Sequence, residues 1–280
     1  MDKKTNIAIL YSGGTDSTCA AAIMAKDFDI IHLLTFKRLG FFSIENSVLN
    51  SDKLKNKFKT KLLLHKIIDV DRLARFVYYQ GYLKNIFKYG FFSLSNCGLC
   101  ALINHIRTAI YCLDNGLKDV ADGINREWPF FPGHMEEIIG ELKKMYSEFD
   151  IVYHTPVFDL VLPSEPVFLD KIKGSLNPIS SNRIPSDNKG ETTGKYLYKL
   201  GILPEENVKG TALDRRMQAR CFQFVLHNIF VYWYYMPDHS YRDYEKTTLL
   251  FFQDKIALIV KLLKDYQIKK DKSRLYRLVN

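Results

Sequence analysis

No uninterrupted run of eighteen apolar residues occurs in the 280-residue chain, so no membrane-spanning helix is expected. Cysteine is scarce, with five in all, and the polar stretch Met1 to Asn6 leads straight into a strand-like segment with no apolar leader core ahead of it. The cysteines are therefore expected in a reducing, cytoplasmic compartment, where their spacing speaks for metal binding or catalysis before disulfides. No repeat of fixed period and no low-complexity tract is present, which excludes solenoids and collagen-like or coiled-coil rods. Also missing are the Gly-x-Gly-x-x-Gly dinucleotide fingerprint, the Gly-Lys-Ser/Thr end of a Walker loop, and any readable Ser–His–Asp set or paired metal-binding histidines.

What is present is an ordinary globular composition, 47% hydrophobic and 25% charged, in a chain long enough for one large domain or a core of about 150 residues with an appendage. The net charge of +9 is unevenly spread. Lys53, Lys55, Lys57, Lys59, Lys61 and Lys66 form one cluster; Lys261, Lys264, Lys269, Lys270, Lys272, Arg274 and Arg277 form another. Each suits either a solvated helix face or a track for a phosphate backbone, and charge alone does not choose.

The first half alternates apolar strand-like runs with helical ones. Ile7–Leu10, Asp29–Phe36, Lys61–Ile68, Asp119–Ala121 and Asp150–Tyr153 predict strands, with helices after the first run, toward Tyr89 and over Asn96–Gly116. Parallel neighbours need crossover helices, so this rhythm predicts an α/β, doubly wound parallel sheet. After Pro156 prolines punctuate a loop-like stretch, followed by helical patterns over Leu213–Tyr235 and Tyr244–Tyr266. In the former, Phe222, Val225, Leu226, Ile229 and Trp233 recur at helical spacing and predict a buried face. The expected division is a nucleotide domain over residues 1–160 and a mostly helical C-terminal region over 161–280.

Chemistry is concentrated in Ser12-Gly13-Gly14-Thr15-Asp16-Ser17, directly after the first strand and opening a helix. Two glycines let the backbone turn and approach a ligand, and the amides of a helix start then cradle an anion. Ser12, Thr15 and Ser17 add hydroxyl donors. Asp16 would repel a bare phosphate, and its presence makes sense if Mg²⁺ lies between carboxylate and phosphates.

This block resembles the Ser-Gly-Gly-x-Asp-Ser loop of the PP-loop ATP pyrophosphatases, the adenine nucleotide alpha-hydrolase-like superfamily. The resemblance implies cleavage of ATP between the α and β phosphates, transfer of AMP to an oxygen of a substrate, and release of pyrophosphate held by the loop. It also places adenine near the ends of the first two strands, close to Thr35, Phe36 or Lys37. A second block, Asn96-Cys97-Gly98-Leu99-Cys100, and the later Asp122-Gly123-Ile124-Asn125 resemble the Cys-x-x-Cys helix and Asp-Gly-Thr-Asn segment of the superfamily's sulfur transferases. Among these are tRNA thiolation enzymes and the enzyme that inserts sulfur into a nickel-pincer cofactor. Ile124 stands where threonine is usual, and Arg126-Glu127 where paired acids are common.

Cys97 and Cys100, three apart at a helix start, are expected to be low-pKa thiolates suited to metal or to sulfur chemistry. Some tRNA thiolases of the superfamily hold a 4Fe–4S cluster on three cysteines; Cys97, Cys100 and Cys221 fit that number, with Arg215, Arg216 and Arg220 offsetting its charge. Cys112, twelve residues along the same helix from Cys100, is about 18 Å away and too distant; Cys19 reads as buried packing. A catalytic persulfide on Cys97 and Cys100 is the competing arrangement. The function expected is an ATP-dependent sulfur transferase, with catalytic residues Asp16, Cys97, Cys100 and Cys221, and ATP bound by Ser12 to Ser17, Thr35, Phe36, Gly123 and Asn125. Mg²⁺ would sit at Asp16. The acceptor is a carbonyl of a tRNA base or a small heterocycle, a separate sulfur donor is needed, and a homodimer is left open. An amide- or nitrile-forming ligase of the deazaguanine type and a non-catalytic nucleotide-binding module are the alternatives.

Overall fold

The computed structural model describes residues 5–90, 97–126, 131–160 and 190–280. Strand β1 (Asn6–Leu10) leads through the glycine turn into helix α1 (Thr15–Met24), and the chain returns as β2 (Ile30–Lys37). A two-residue strand β3 (Phe41–Phe42) precedes α2 (Ser47–Lys57) and β4 (Leu62–Asp69). Helices α3 (Asp71–Tyr79), α4 (Tyr82–Tyr89) and α5 (Cys97–Asn115) then cross to β5 (Asp119–Ala121), and α6 (Glu136–Ser147) to β6 (Val152–His154).

The five long-range strands form one parallel sheet in the order β4-β2-β1-β5-β6, with Ile7 beside Ile31 and Ala8 beside Val120. Buried side chains fill both faces. Ile7, Ile9, Ile31 and Leu33 pack with α1 and Leu54 of α2 on one side, while Ala8, Leu34 and Val120 pack with α3, α5 and α6 on the other. This is the doubly wound sheet expected from the strand–helix rhythm. Its order reverses between β1 and β5, and the crevice outside the carboxyl ends of strands at such a reversal is where this class of fold binds ligands.

Residues 190–280 add α7 (Thr193–Lys199), α8 (Ala212–Met217), a two-residue strand β7 (Arg220–Cys221) and α9 (Phe222–Ile229). A π-helical turn (Phe230–Tyr235), the long α10 (Tyr241–Lys269) and α11 (Arg274–Val279) complete the chain. The proline-punctuated stretch from Pro163 to Asn188 lies outside the described residues. Three expectations need correction. The helical run toward Tyr89 is broken at Gly81, which adopts a φ of +70°. The single helix expected over Leu213–Tyr235 is interrupted, because Arg220 and Cys221 pair antiparallel with Phe42 and Phe41, so Cys221 sits on a strand. The aromatic stripe along α9 and the π-helical turn is not core: Phe222, Leu226, Ile229 and Trp233 face outward, Trp233 at 63% exposure, while His227 and Val231 turn in; the Val225 side chain lies outside the described residues.

Candidate functional site

The Ser12–Ser17 loop sits at the carboxyl end of β1, and Gly13 takes a φ of +85° that favours glycine. Close approach requires glycine there as well, since a Cβ would fall 2.5 Å from the Met217 carbonyl oxygen and the Ser47 Cα. The loop braces itself: the Ser17 hydroxyl donates to the Gly14 carbonyl and accepts from the Ser12 amide, and the Ser12 hydroxyl accepts from the Gly14 amide. Asn50 Nδ2 donates to the Gly13 carbonyl. Gly14 caps helix α1 with no side-chain hydrogen bond, so the helix's first amides keep the orphan N–H groups that suit an anion.

Asp16 has its two carboxylate oxygens placed by two segments far away in sequence. Asn125 Nδ2 donates to Oδ2 at 2.8 Å, and the Thr193 hydroxyl donates to Oδ1 at 2.6 Å. Burial raises the Asp16 pKa, while Thr193 and then Lys209 pull it down. Thr193 and Lys209 escaped the sequence reading because they follow the proline-punctuated stretch. The only local signal is Thr192, which caps α7 by accepting from the Lys195 amide. The Asn125 segment is itself fixed by His134, whose Nδ1 donates to the Asn125 carbonyl.

Beneath the crevice Asp122 is buried, with its carboxylate accepting from the Tyr153 hydroxyl and the Ile124 amide and lying 3.5 Å from His105 Nε2. Burial pushes the Asp122 carboxyl up to about 7 and the His105 imidazole down to about 3, so the histidine is a neutral partner near pH 7. A carboxyl whose folded pKa is raised holds its proton longer in the native state. Its contribution is therefore greatest below the unfolded value and declines as pH rises toward 7. Asp122→Asn, which cannot ionise, should melt with wild type near pH 4 and progressively above it between pH 4 and 7. Thermal melts at a series of pH values test this; a constant offset between the two proteins contradicts it.

Sulfur gathers at the neighbouring strand end. Arg38, the residue after β2, donates from Nε to Cys100 Sγ at 3.0 Å and from Nη2 to Cys221 Sγ at 3.5 Å. The β3–β7 pairing is what carries Cys221 there. Cys100 is buried on the first turn of α5, and its thiol is pushed up by that burial against the pull of Arg38, which corrects the expectation of a low pKa. The Cys97 side chain lies outside the described residues, as do Asn96 and Glu127; the Cys97 backbone opens α5, one turn before Cys100. Cys19 and Cys112 are buried elsewhere in the core.

Among the described residues no three His, Cys, Asp or Glu side chains converge on one point. For a cluster, the donor set still fits: two sulfurs from different elements meet at one cation, and a third cysteine opens the same helix turn. For Mg²⁺ one carboxylate is adequate, because this ion commonly takes one or two carboxylates together with substrate phosphates.

Thr35 and Phe36 are both buried, with the Thr35 hydroxyl donating to the Tyr11 carbonyl and meeting His65 Nε2. Of the basic clusters, Lys264, Lys269 and Lys270 pair with Glu148, Asp265 and Asp114. Lys57 and Lys59 at the end of α2 are exposed. No helix among the described residues is long and apolar enough to cross a membrane.

No protein-family model matches the sequence, and no curated protein matches it. Solved structures do match it, 21 chains in all, among them the following two. A predicted subunit of tRNA methyltransferase from Methanocaldococcus jannaschii is 21% identical, with 55% of this chain and 69% of that one covered and a TM-score of 0.36. The U34-tRNA thiolase NcsA from Methanococcus maripaludis, solved with its 4Fe–4S cluster, is 12% identical, with 92% of this chain and 73% of that one covered and a TM-score of 0.39.

Proposed function

We propose that the protein is an ATP-dependent sulfur transferase that activates a carbonyl of a tRNA base, or of a small heterocycle, by adenylation and replaces its oxygen with sulfur. One observation carries the reading: a phosphate-type loop with a two-point-held Asp16 stands at the end of β1, and the paired sulfurs of Cys100 and Cys221 stand at the end of the adjacent β2.

In this reading the acceptor oxygen attacks the α-phosphorus, the α–β bond breaks, and pyrophosphate leaves into the amides at the start of α1. Ser12 and Thr15 present hydroxyls to it, Ser17 braces the loop through its bond to the Gly14 carbonyl, and Gly123 and Asn125 close the other wall. Adenine would lie along the backbone at Thr35 and Phe36, since both side chains are committed inside the protein. Mg²⁺ bound at Asp16 would neutralise charge on the phosphates. Sulfur from a separate donor then attacks the activated carbon and AMP leaves. A 4Fe–4S cluster on Cys97, Cys100 and Cys221 would supply an open iron for that sulfur. Lys57 and Lys59 supply positive charge of the kind a tRNA backbone neutralises.

The test is product analysis with ATP, Mg²⁺, a sulfide source and bulk unmodified tRNA. AMP and pyrophosphate should form in equal amounts, with sulfur appearing in the RNA. ADP and inorganic phosphate as products would place cleavage at the wrong bond and sink the proposal.

A further inference from the structure

Arg38 is 4% exposed, yet among the described residues it forms no ion pair with a carboxylate, and its donors reach the sulfurs of Cys100 and Cys221 instead. An arginine cannot shed its proton, and a buried charge is costly unless something of opposite sign accompanies it. Its remaining hydrogen bonds go to neutral acceptors, Gln223 Oε1 at 2.7 Å and the Leu39 carbonyl at 3.0 Å, both from Nη1. The aromatic ring of Phe41 lies 4.6 Å from the guanidinium carbon. That leaves Nε and Nη2, the edge of the guanidinium that ordinarily grips the two oxygens of a carboxylate. Here two sulfurs occupy those positions. Burial favours the neutral thiol at free Cys100, and a neutral thiol is a weak acceptor, so the fork is fully used only when the sulfur it holds is loaded and carries negative charge.

We infer that Arg38 is the positioning residue of an anionic sulfur site, its fork aligning Cys100 and Cys221 and supplying the counter-charge for the group they carry. The inference rests on the sulfur-transfer reading and names the residue that makes its sulfur site work. The negatively charged sulfur has two sources, iron-bound thiolates or a persulfide. The β3–β7 pairing brings Cys221, and Gln223 two residues beyond it, to the same guanidinium. Lysine retains the charge but not the planar fork, so it should rescue only in part.

The experiment compares full-length wild type, Arg38→Lys and Arg38→Met without oxygen. One set is loaded with ferrous iron and sulfide, the other with inorganic polysulfide. Iron per chain and visible absorption report a cluster, and cyanide-releasable sulfur reports a persulfide. Wild type should load in one of the two arms. Arg38→Met should retain less than a tenth of that load, and Arg38→Lys an intermediate amount that chelator strips several-fold faster. Melting temperature and far-ultraviolet dichroism show whether each variant folds. If Arg38→Met does not fold, wild-type load and stripping rate in Arg38→Lys overturn the inference. It is equally overturned if folded Arg38→Met loads like wild type, or if wild type loads in neither arm. Normal loading of the variants while AMP and pyrophosphate still form sinks only the role of Arg38. ADP as product with the loading pattern intact sinks only the transferase reading.

Discussion

Asp16→Asn should lower AMP and pyrophosphate formation by about a hundredfold or more while shifting the melting temperature by only a few degrees. The side chains are the same size, and a carboxamide oxygen still accepts from one of the two donors that hold Asp16, the Thr193 hydroxyl or Asn125 Nδ2. The other donor then faces an NH₂ group, a loss of about 1 kcal/mol for one hydrogen bond. Catalysis loses more. In the proposed reaction the carboxylate would be the anionic ligand of a single-carboxylate Mg²⁺ site, and removal of one preorganised group stabilising transition-state charge typically costs a hundred- to a thousandfold. Thr193→Ala leaves the carboxylate in place and removes only its alignment, so its loss should be smaller, about tenfold. Quantifying pyrophosphate release alongside thermal melts separates the two effects. An Asp16→Asn protein that turns over at the wild-type rate would show that the loop serves another purpose.

The loop was legible because its chemistry is local. A turn that bends sharply after a buried strand and opens a helix needs glycine at Gly13, and the hydroxyls and carboxylate follow within six residues. The sheet was legible for a related reason, since short apolar runs separated by helical ones have few ways to be buried. What stayed hidden was assembled across long sequence separations. Thr193 reaches Asp16 only because α7 packs on α1, and nothing in Thr192-Thr193-Gly194 announces that contact. Arg38 reads as one more basic residue until β3 and β7 pair.

Helical periodicity likewise established that Phe222, Leu226, Ile229 and Trp233 share a face, but not what that face meets. The same period misplaces Cys221, because strand pairing with Phe41 claims a residue inside the helical pattern over Leu213–Tyr235. The residues proposed for the site nonetheless remain compatible with one edge of the sheet, because Arg38, Asp122 and the loop all follow strand ends in a parallel sheet.

The severest structural effect is expected from Gly123→Ala. A Cβ at Gly123 would lie 2.6 Å from the Asp16 carbonyl carbon and from the Ser17 Cα, both backbone atoms that no side-chain rotation can move aside. Those atoms belong to the first turn of α1, whose Cys19, Ala20, Ala21 and Ala22 are completely buried, so the helix cannot retreat. The segment carrying Asp122 and Asn125 must move instead, stretching the Asn125–Asp16 bond. Overpacking of this kind costs about 1–3 kcal/mol, and the rigid backbone on both sides places this substitution at the upper end. ATP affinity should fall at least about tenfold with it, because the wall of the proposed phosphate site is displaced. Gly140→Ala is the matched control: Gly140 sits within α6 with open space where a Cβ would point. There alanine should add about 0.5–1 kcal/mol through helix preference alone. Urea titrations of the two variants, compared at unchanged m, and calorimetric titration with ATP give both quantities. Opposite signs for the two glycines are the expected result; a Gly123→Ala protein as stable as wild type would mean that the Asp122–Asn125 segment does not press against the loop.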